Sequence, residues 1–321
     1  MRNNSPRQIS APFRTFTVSA AIQGVALCLW AVLAVQPIAA CDVCGCGIGG
    51  PSTGLSPFFD RSFLGVRLGG FSTESHLTYG RRFRTSESFM RTEVFARIRL
   101  SDEFLLQGSV PWAMNRQSYK LSGDSFTNNG FGDITASISY ILLQSASDTL
   151  GGSLLIQAGV SLPTGSYLYD PNAAQDVANA NFQTGSGSVD VLLGVAGTVR
   201  TPDYGVRGST SLRVPTANPN GYRFGPTLSG MAAAFISVPV SSTFLLVPSV
   251  GCVVDVMGKN SLNNNTISVT GGYVTYASAS LAVRWELLLV ESQFDIPVSQ
   301  FQGEGTLQSN VRWSLSVGFL L

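Results

Sequence analysis

Charge is what this chain has least of. Asp, Glu, Lys and Arg together make up 12% of its 321 residues, about half of what ordinary soluble domains carry, and they nearly cancel at a net charge of +1. There is no Lys/Arg run and no basic stripe, which argues against nucleic acid as a partner. Histidine is almost missing, with His76 alone in the sequence. Ser-His or Cys-His catalysis needs an imidazole within reach of its nucleophile, and no HExxH, paired zinc motif or glycine-rich phosphate loop is present. The expectation is a protein that is not an enzyme. Long apolar runs are missing too. Beyond residue 40 none approaches the roughly 20 residues that a membrane-spanning helix needs. Yet 44% of the chain is hydrophobic and mean hydropathy is +0.21. Apolar character spread this thinly is what results when only every second side chain faces lipid.

That alternation is legible at once in the last residues. Val311, Trp313, Leu315, Val317, Phe319 and Leu321 share one parity, while Arg312, Ser314, Ser316 and Gly318 share the other. Side chains of a strand point alternately to opposite faces, so this is a ribbon with one greasy and one wet side. It is expected to pair with the first strand and close a barrel. Period-two patterning marks about twelve strands, at 61–71, 89–100, 103–114, 131–143, 150–162, 187–199, 206–214, 226–238, 243–256, 272–285, 287–298 and 309–321, most of them long enough to cross a membrane at a tilt. Long connections (72–88, 115–130, 163–186, 215–225, 257–271, 299–308) alternate with short ones near 101–102, 144–149, 200–205, 239–242 and 286. An even strand number with loops sorted by length is the outer-membrane pattern, whereas a soluble sandwich has no reason to sort them. The expected fold is all-β, a transmembrane antiparallel up-and-down β-barrel of about twelve strands over 61–321. Its long loops would be extracellular, its termini periplasmic, and its partners outer-membrane lipid and the barrel-assembly machinery.

Residues 1–40 read as an export signal, with Arg2, Arg7 and Arg14 before a hydrophobic core from Val18 to Val35, then Pro37 and Ile38-Ala39-Ala40. Cleavage after Ala40 would leave residues 41–60 as a periplasmic cysteine-containing segment in an oxidising compartment.

Taking the polar parity as inward places Arg67, Arg91, Arg97, Arg99, Arg207, Arg213, Arg284 and Arg312 on the lumen wall, answered by Glu93, Asp133, Asp190, Asp255, Glu291 and Asp295. Closure makes the strands of Arg312, Arg67 and the Arg91–Arg99 series neighbours, which predicts a basic wall with most acids elsewhere. In a water-filled pore that field would favour small polar or anionic solutes. The competing arrangement is a salt-bridge lattice that fills a narrow lumen. The many inward Ser, Thr, Gly and Ala residues favour the pore.

The segment Gly130-Phe-Gly-Asp-Ile-Thr, continuing through Tyr140 to Val160-Ser-Leu-Pro-Thr-Gly165, resembles the outer-membrane transporter family associated with phenol meta-pathway clusters, distantly related to hydrophobic-substrate channels of the fatty-acid type. The resemblance implies a barrel that passes small solutes, polar or hydrophobic. The run Cys41-Asp-Val-Cys44-Gly-Cys46 is similar to the CDxCGC opening of uncharacterised barrels from Bacteroidetes-like bacteria.

Three thiols within six residues admit three readings. Ile38-Ala39-Ala40-Cys41 matches a lipobox, which would make Cys41 a lipidation site. Cys41, Cys44 and Cys46 could instead bind a soft metal, Cu(I) or Zn(II), although a fourth ligand is missing locally. A disulfide within the cluster is the third reading. The function expected from these features is a passive channel or transporter for small solutes in the bacterial outer membrane, linked to metal through that N-terminus. Its alternative is a structural or lipid-anchored barrel with a blocked lumen.

Overall fold

The computed structural model describes residues 61–75, 85–120, 122–145, 149–168 and 180–321. The expected export signal (residues 1–40), the Cys41–Cys46 cluster and His76 lie outside these residues. Twelve strands build the wall: β1 (Phe63–Ser75), β2 (Thr85–Arg99), β3 (Phe104–Tyr119), β4 (Ile134–Ser145), β5 (Gly151–Leu162), β6 (Asp190–Arg200), β7 (Tyr204–Pro215), β8 (Thr227–Ile236), β9 (Phe244–Met257), β10 (Gly272–Trp285), β11 (Leu288–Gln302) and β12 (Arg312–Leu320). Each pairs antiparallel with its neighbours in sequence, and β12 returns to β1 with Leu320 opposite Phe63 and Trp313 opposite Gly70. The result is a closed ring of twelve strands, in which the ladder N–H and C=O groups pair within the protein as a membrane wall requires.

The parity read from the sequence is the parity of the wall. Outward side chains are apolar and exposed, as at Leu64, Val94, Ile156, Val195, Phe294 and Phe319. Cys252 of β9, a free thiol, shares that outward parity. Inward side chains are mostly buried: Arg67, Glu93, Asp190, Ser249, Glu291 and Ser316 are each under a tenth exposed.

Several boundaries differ from the sequence expectation, and three of the differences shape the long-loop end. The β1–β2 hairpin runs on to Ser75 opposite Thr85, because Thr73 and Glu87 continue the ladder with a side-chain hydrogen bond of 3.3 Å. The strand expected at 131–143 begins instead at Ile134, and Ser125–Phe131 forms a separate strand along the upper part of β3. Its cause is Pro111, which has no N–H to donate: β3 pairs with β4 up to Ser109 and with Ser125–Phe131 from Trp112 onward. The strand expected from residue 309 begins at Arg312, with Leu307–Ser309 pairing separately against the top of β1. The loops over β5 to β10 are ordered in part by a small sheet of Tyr222–Arg223, Ser261–Leu262 and Asn265–Thr266.

Candidate functional site

The lumen is built in three levels. At the short-turn end, where β1 begins and β12 ends, the inward positions are apolar. Phe63, Phe95, Leu289 and Leu320 pack together, and Phe235, Val247 and Ala282 pack beside them, with Leu245 touching both groups. Leu105 is equally sealed, at 1% exposure. Phe63 and Phe95 lie on the same parity as Arg67 and Arg97, which is the signal that could have found this layer in the sequence.

Just above it sits a ring of buried polar groups. Arg67 donates from Nη1 to Glu93 Oε2 at 3.2 Å and from Nε to Ser316 Oγ at 3.1 Å, with its guanidinium 4.9 Å from the Phe95 ring centre. Arg97 donates to Gln107 Oε1 at 2.8 Å and lies over Phe63. From the opposite wall, Arg207 of β7 reaches Ser249 of β9, Ser280 of β10 and Glu291 of β11 at 3.3, 3.2 and 3.5 Å. Three strands separate β7 from β11 along the wall, so this contact crosses the lumen.

The third level is a cavity of about 150 Å³, continuous with solvent, toward the long-loop end. Arg91, Glu93, Arg213, Asp255, Arg312 and Asp133 line it together with Phe71, Phe89, Val274 and Tyr276. Its charges are matched locally: Arg213 is ion-paired with the fully buried Asp190, and Arg312 binds Asp295 at 2.8 Å and Asp255 at 2.9 Å with its head 4.5 Å from the Tyr276 ring centre. The expected basic wall is therefore neutralised at Arg67 and Arg312. Acids reach the arginines of β12 and β1 directly, because closure brings β11, β9 and β2 within side-chain length of them.

One of the expected lumen residues has another role. Arg99 turns back to its own short turn, donating to Ser101 and Asp102 carbonyls at 3.2 and 3.1 Å, since it is the last residue of β2 and solvent is closer than the lumen. Arg284 lies low on β10, opposite Leu245 and Leu289. Asp133 lines the cavity but also clips the β5–β6 loop. Its Oδ1 accepts from the Gly165 amide at 3.0 Å, and its Oδ2 accepts from the Ser186 amide and hydroxyl at 2.8 and 2.7 Å. Gly165 and Gly185 cross so closely that a Cβ on Gly185 would lie 2.6 Å from Gly165 Cα. Asn115, which the sequence reading passed over, holds the same loop by donating to the carbonyls of Phe182 and Gln183 at 2.9 and 3.1 Å. The GFGD and LPTG segments thus form one clip, and residues 180–186 face the cavity.

Comparison with solved structures finds the same fold elsewhere. An outer membrane channel from Pseudomonas putida F1 superposes with a TM-score of 0.61 at 13% identity, over 83% of this chain and 97% of that one. The β-domain of the Bordetella autotransporter BrkA superposes with a TM-score of 0.51 at 8% identity, over 82% of this chain and all of that one. No curated protein matches the chain. The family model described as "Putative MetA-pathway of phenol degradation" matches residues 65–285, from the first strand of the wall to the end of the tenth. With that match and a closed barrel wearing an apolar belt, the chain belongs to this family and is an outer-membrane β-barrel.

Proposed function

We propose that the barrel is a passive outer-membrane channel for small solutes, open toward the long-loop side and closed at rest on the short-turn side. The solvent-continuous cavity of about 150 Å³ lined by Arg91, Asp255, Arg312 and Tyr276 carries this reading, because a barrel that served only as an anchor would gain nothing from keeping its interior unfilled and polar. That the Pseudomonas barrel of similar fold is described as an outer membrane channel is in keeping with it. Since the cavity's charges are paired and interleaved with Phe71, Phe89 and Tyr276, the solute class it suits is small and of low net charge, with both a polar and an apolar part.

One observation favours the second reading, a barrel with a blocked lumen: Phe63, Leu105, Leu289 and Leu320 are at most 3% exposed. An apolar constriction excludes water and ions while it stays dry. Conductance in planar bilayers decides between the two readings. The wild-type protein is expected to give small, infrequent openings. A Phe63→Ala/Phe95→Ala double variant removes two of the rings that close the floor, at roughly 3–5 kcal/mol of packing each, and is expected to conduct several-fold more. Silence from both proteins, once assembly is verified, would leave the blocked barrel standing.

A further inference from the structure

The buried polar ring contains a mismatch that packing alone does not account for. Among the described residues, Arg67 Nη2 and Glu291 Oε2 have no hydrogen-bond partner, although both atoms are sealed from solvent. One is a donor and the other an acceptor, and both side chains lie in the same ring, since Ser316 is the register partner of Arg67 on one side and of Glu291 on the other. Leaving a charged group short of a partner in a buried setting is costly. A single rearrangement would satisfy both atoms, namely a swing of the Glu291 carboxylate toward Arg67.

The contacts Glu291 makes now fit such a swing. Its bond to Arg207 is long, at 3.5 Å, and Arg207 has the hydroxyls of Ser249 and Ser280 at 3.3 and 3.2 Å to fall back on. Arg67 holds Glu93 with Nη1 and Ser316 with Nε, which leaves the Nη2 edge of a five-donor fork to take a second carboxylate. Breaking the Arg207–Glu291 contact withdraws the β11 end of the crossbar and leaves Arg207 tied only as far as Ser280 of β10, whereas a Glu291–Arg67 contact lies along the wall across β11, β12 and β1.

We propose that Glu291 is a two-position latch of the solute pathway: bound to Arg207 it bars the lumen, and bound to Arg67 it lies against the wall and lets solute through. The inference rests on the channel reading and adds to it a named gating residue with two alternative guanidinium partners. Two packings of one side chain with comparable partners form a bistable element of the kind that switches use.

The two arginines must then act in opposite directions. In planar bilayers, Arg207→Gln is expected to free the carboxylate for Arg67 and raise the open probability about ten-fold, the factor set by roughly 1.4 kcal/mol. Arg67→Gln should remove the open-state partner and lower the open probability by a similar factor. Should Arg67→Gln fail to assemble, Arg67→Lys serves instead: a lysine carries one compact head, cannot hold Glu93 and Glu291 together, and is expected to lower the open probability as well. A purely structural role for the ring would move both substitutions the same way, and that result, or no change in either, overturns the latch. The Phe63→Ala/Phe95→Ala protein keeps the two readings apart. If it conducts while the arginine variants fail to diverge, the channel stands and the latch falls. If no variant conducts, the channel reading falls and takes the latch with it.

Discussion

A Gly65→Val protein is expected to fail to form a folded barrel. Gly65 lies on the inward parity of β1, at the seam with β12, and pairs with Gly318. A Cβ at this position would lie 2.6 Å from the Val317 carbonyl oxygen, 2.8 Å from Phe95 Cζ and 3.0 Å from Gly318 Cα. Two of those three atoms are backbone, so relief requires moving the strand rather than turning a side chain. Overpacking of this kind reaches about 3 kcal/mol, and each ladder hydrogen bond lost as the seam widens adds about 1 kcal/mol. In lipid the exposed N–H and C=O groups find no water, so the cost there exceeds its value in a soluble sheet. Deleting Phe319–Leu321 attacks the same seam, removing the partners of Leu64 and Phe63, the Leu321 amide bond to Ser62 and the Leu320 side chain from the floor. The measurement is the fraction of protein that migrates in folded form on unheated gels after insertion into membranes. It is expected to drop at least ten-fold for both variants, and normal migration of Gly65→Val would refute the closing role given to β12.

Asp133→Ala is expected to enlarge the channel rather than destroy it. The carboxylate takes three hydrogen bonds from the two limbs of the β5–β6 loop, and bonds to a charged acceptor contribute about 1.5–3 kcal/mol each. Without them the amides of Gly165 and Ser186 have every reason to find water, and residues 180–186 leave the cavity wall they line. The barrel itself should survive, because the ladders of β4, β5 and β6 do not depend on this carboxylate. Asp133→Asn is the instructive partner variant. A carboxamide has one oxygen and cannot accept at both the Oδ1 and Oδ2 positions, so one limb should hold and the other loosen. Open-channel conductance and current noise are therefore expected to rise in the order wild type, Asp133→Asn, Asp133→Ala, while folded migration stays unchanged. Equal conductance in all three proteins would mean that the loop does not limit passage.

The residues that matter here were visible in the sequence to unequal degrees. Asp133, Arg213, Glu291 and Arg312 could be assigned to the inner face from parity alone, and parity is local: it follows from two side-chain directions per strand repeat and the need to put hydrocarbon against lipid. The clip role of Asp133 was not visible, because its partners Gly165 and Ser186 lie 32 and 53 residues downstream and meet it only when β5 and β6 stand beside β4. The apolar floor was missed for a different reason. Phe63, Phe95 and Leu289 interrupt a polar parity, and an interruption cannot be told from noise until closure gathers several of them at one height.

The amino-acid sequence by itself determined the strand number, the side of the wall each residue faces, the sorting of long and short loops and the pairing of the last strand with the first. Those properties depend on a period of two, on the length needed to cross a bilayer and on the absence of open edges in lipid, all of which act along the chain or between sequential neighbours. Only the tertiary structure decided which inward charges meet, since Arg207 and Glu291 are joined across the lumen by the tilt and curvature of the whole ring. It also decided that the arginines of β1 and β12 would be neutralised rather than massed into a basic wall. A strand's sequence fixes the direction of a side chain, but its height and its partner across a closed barrel come from the geometry of closure, and electrostatics at a few ångströms depends on both.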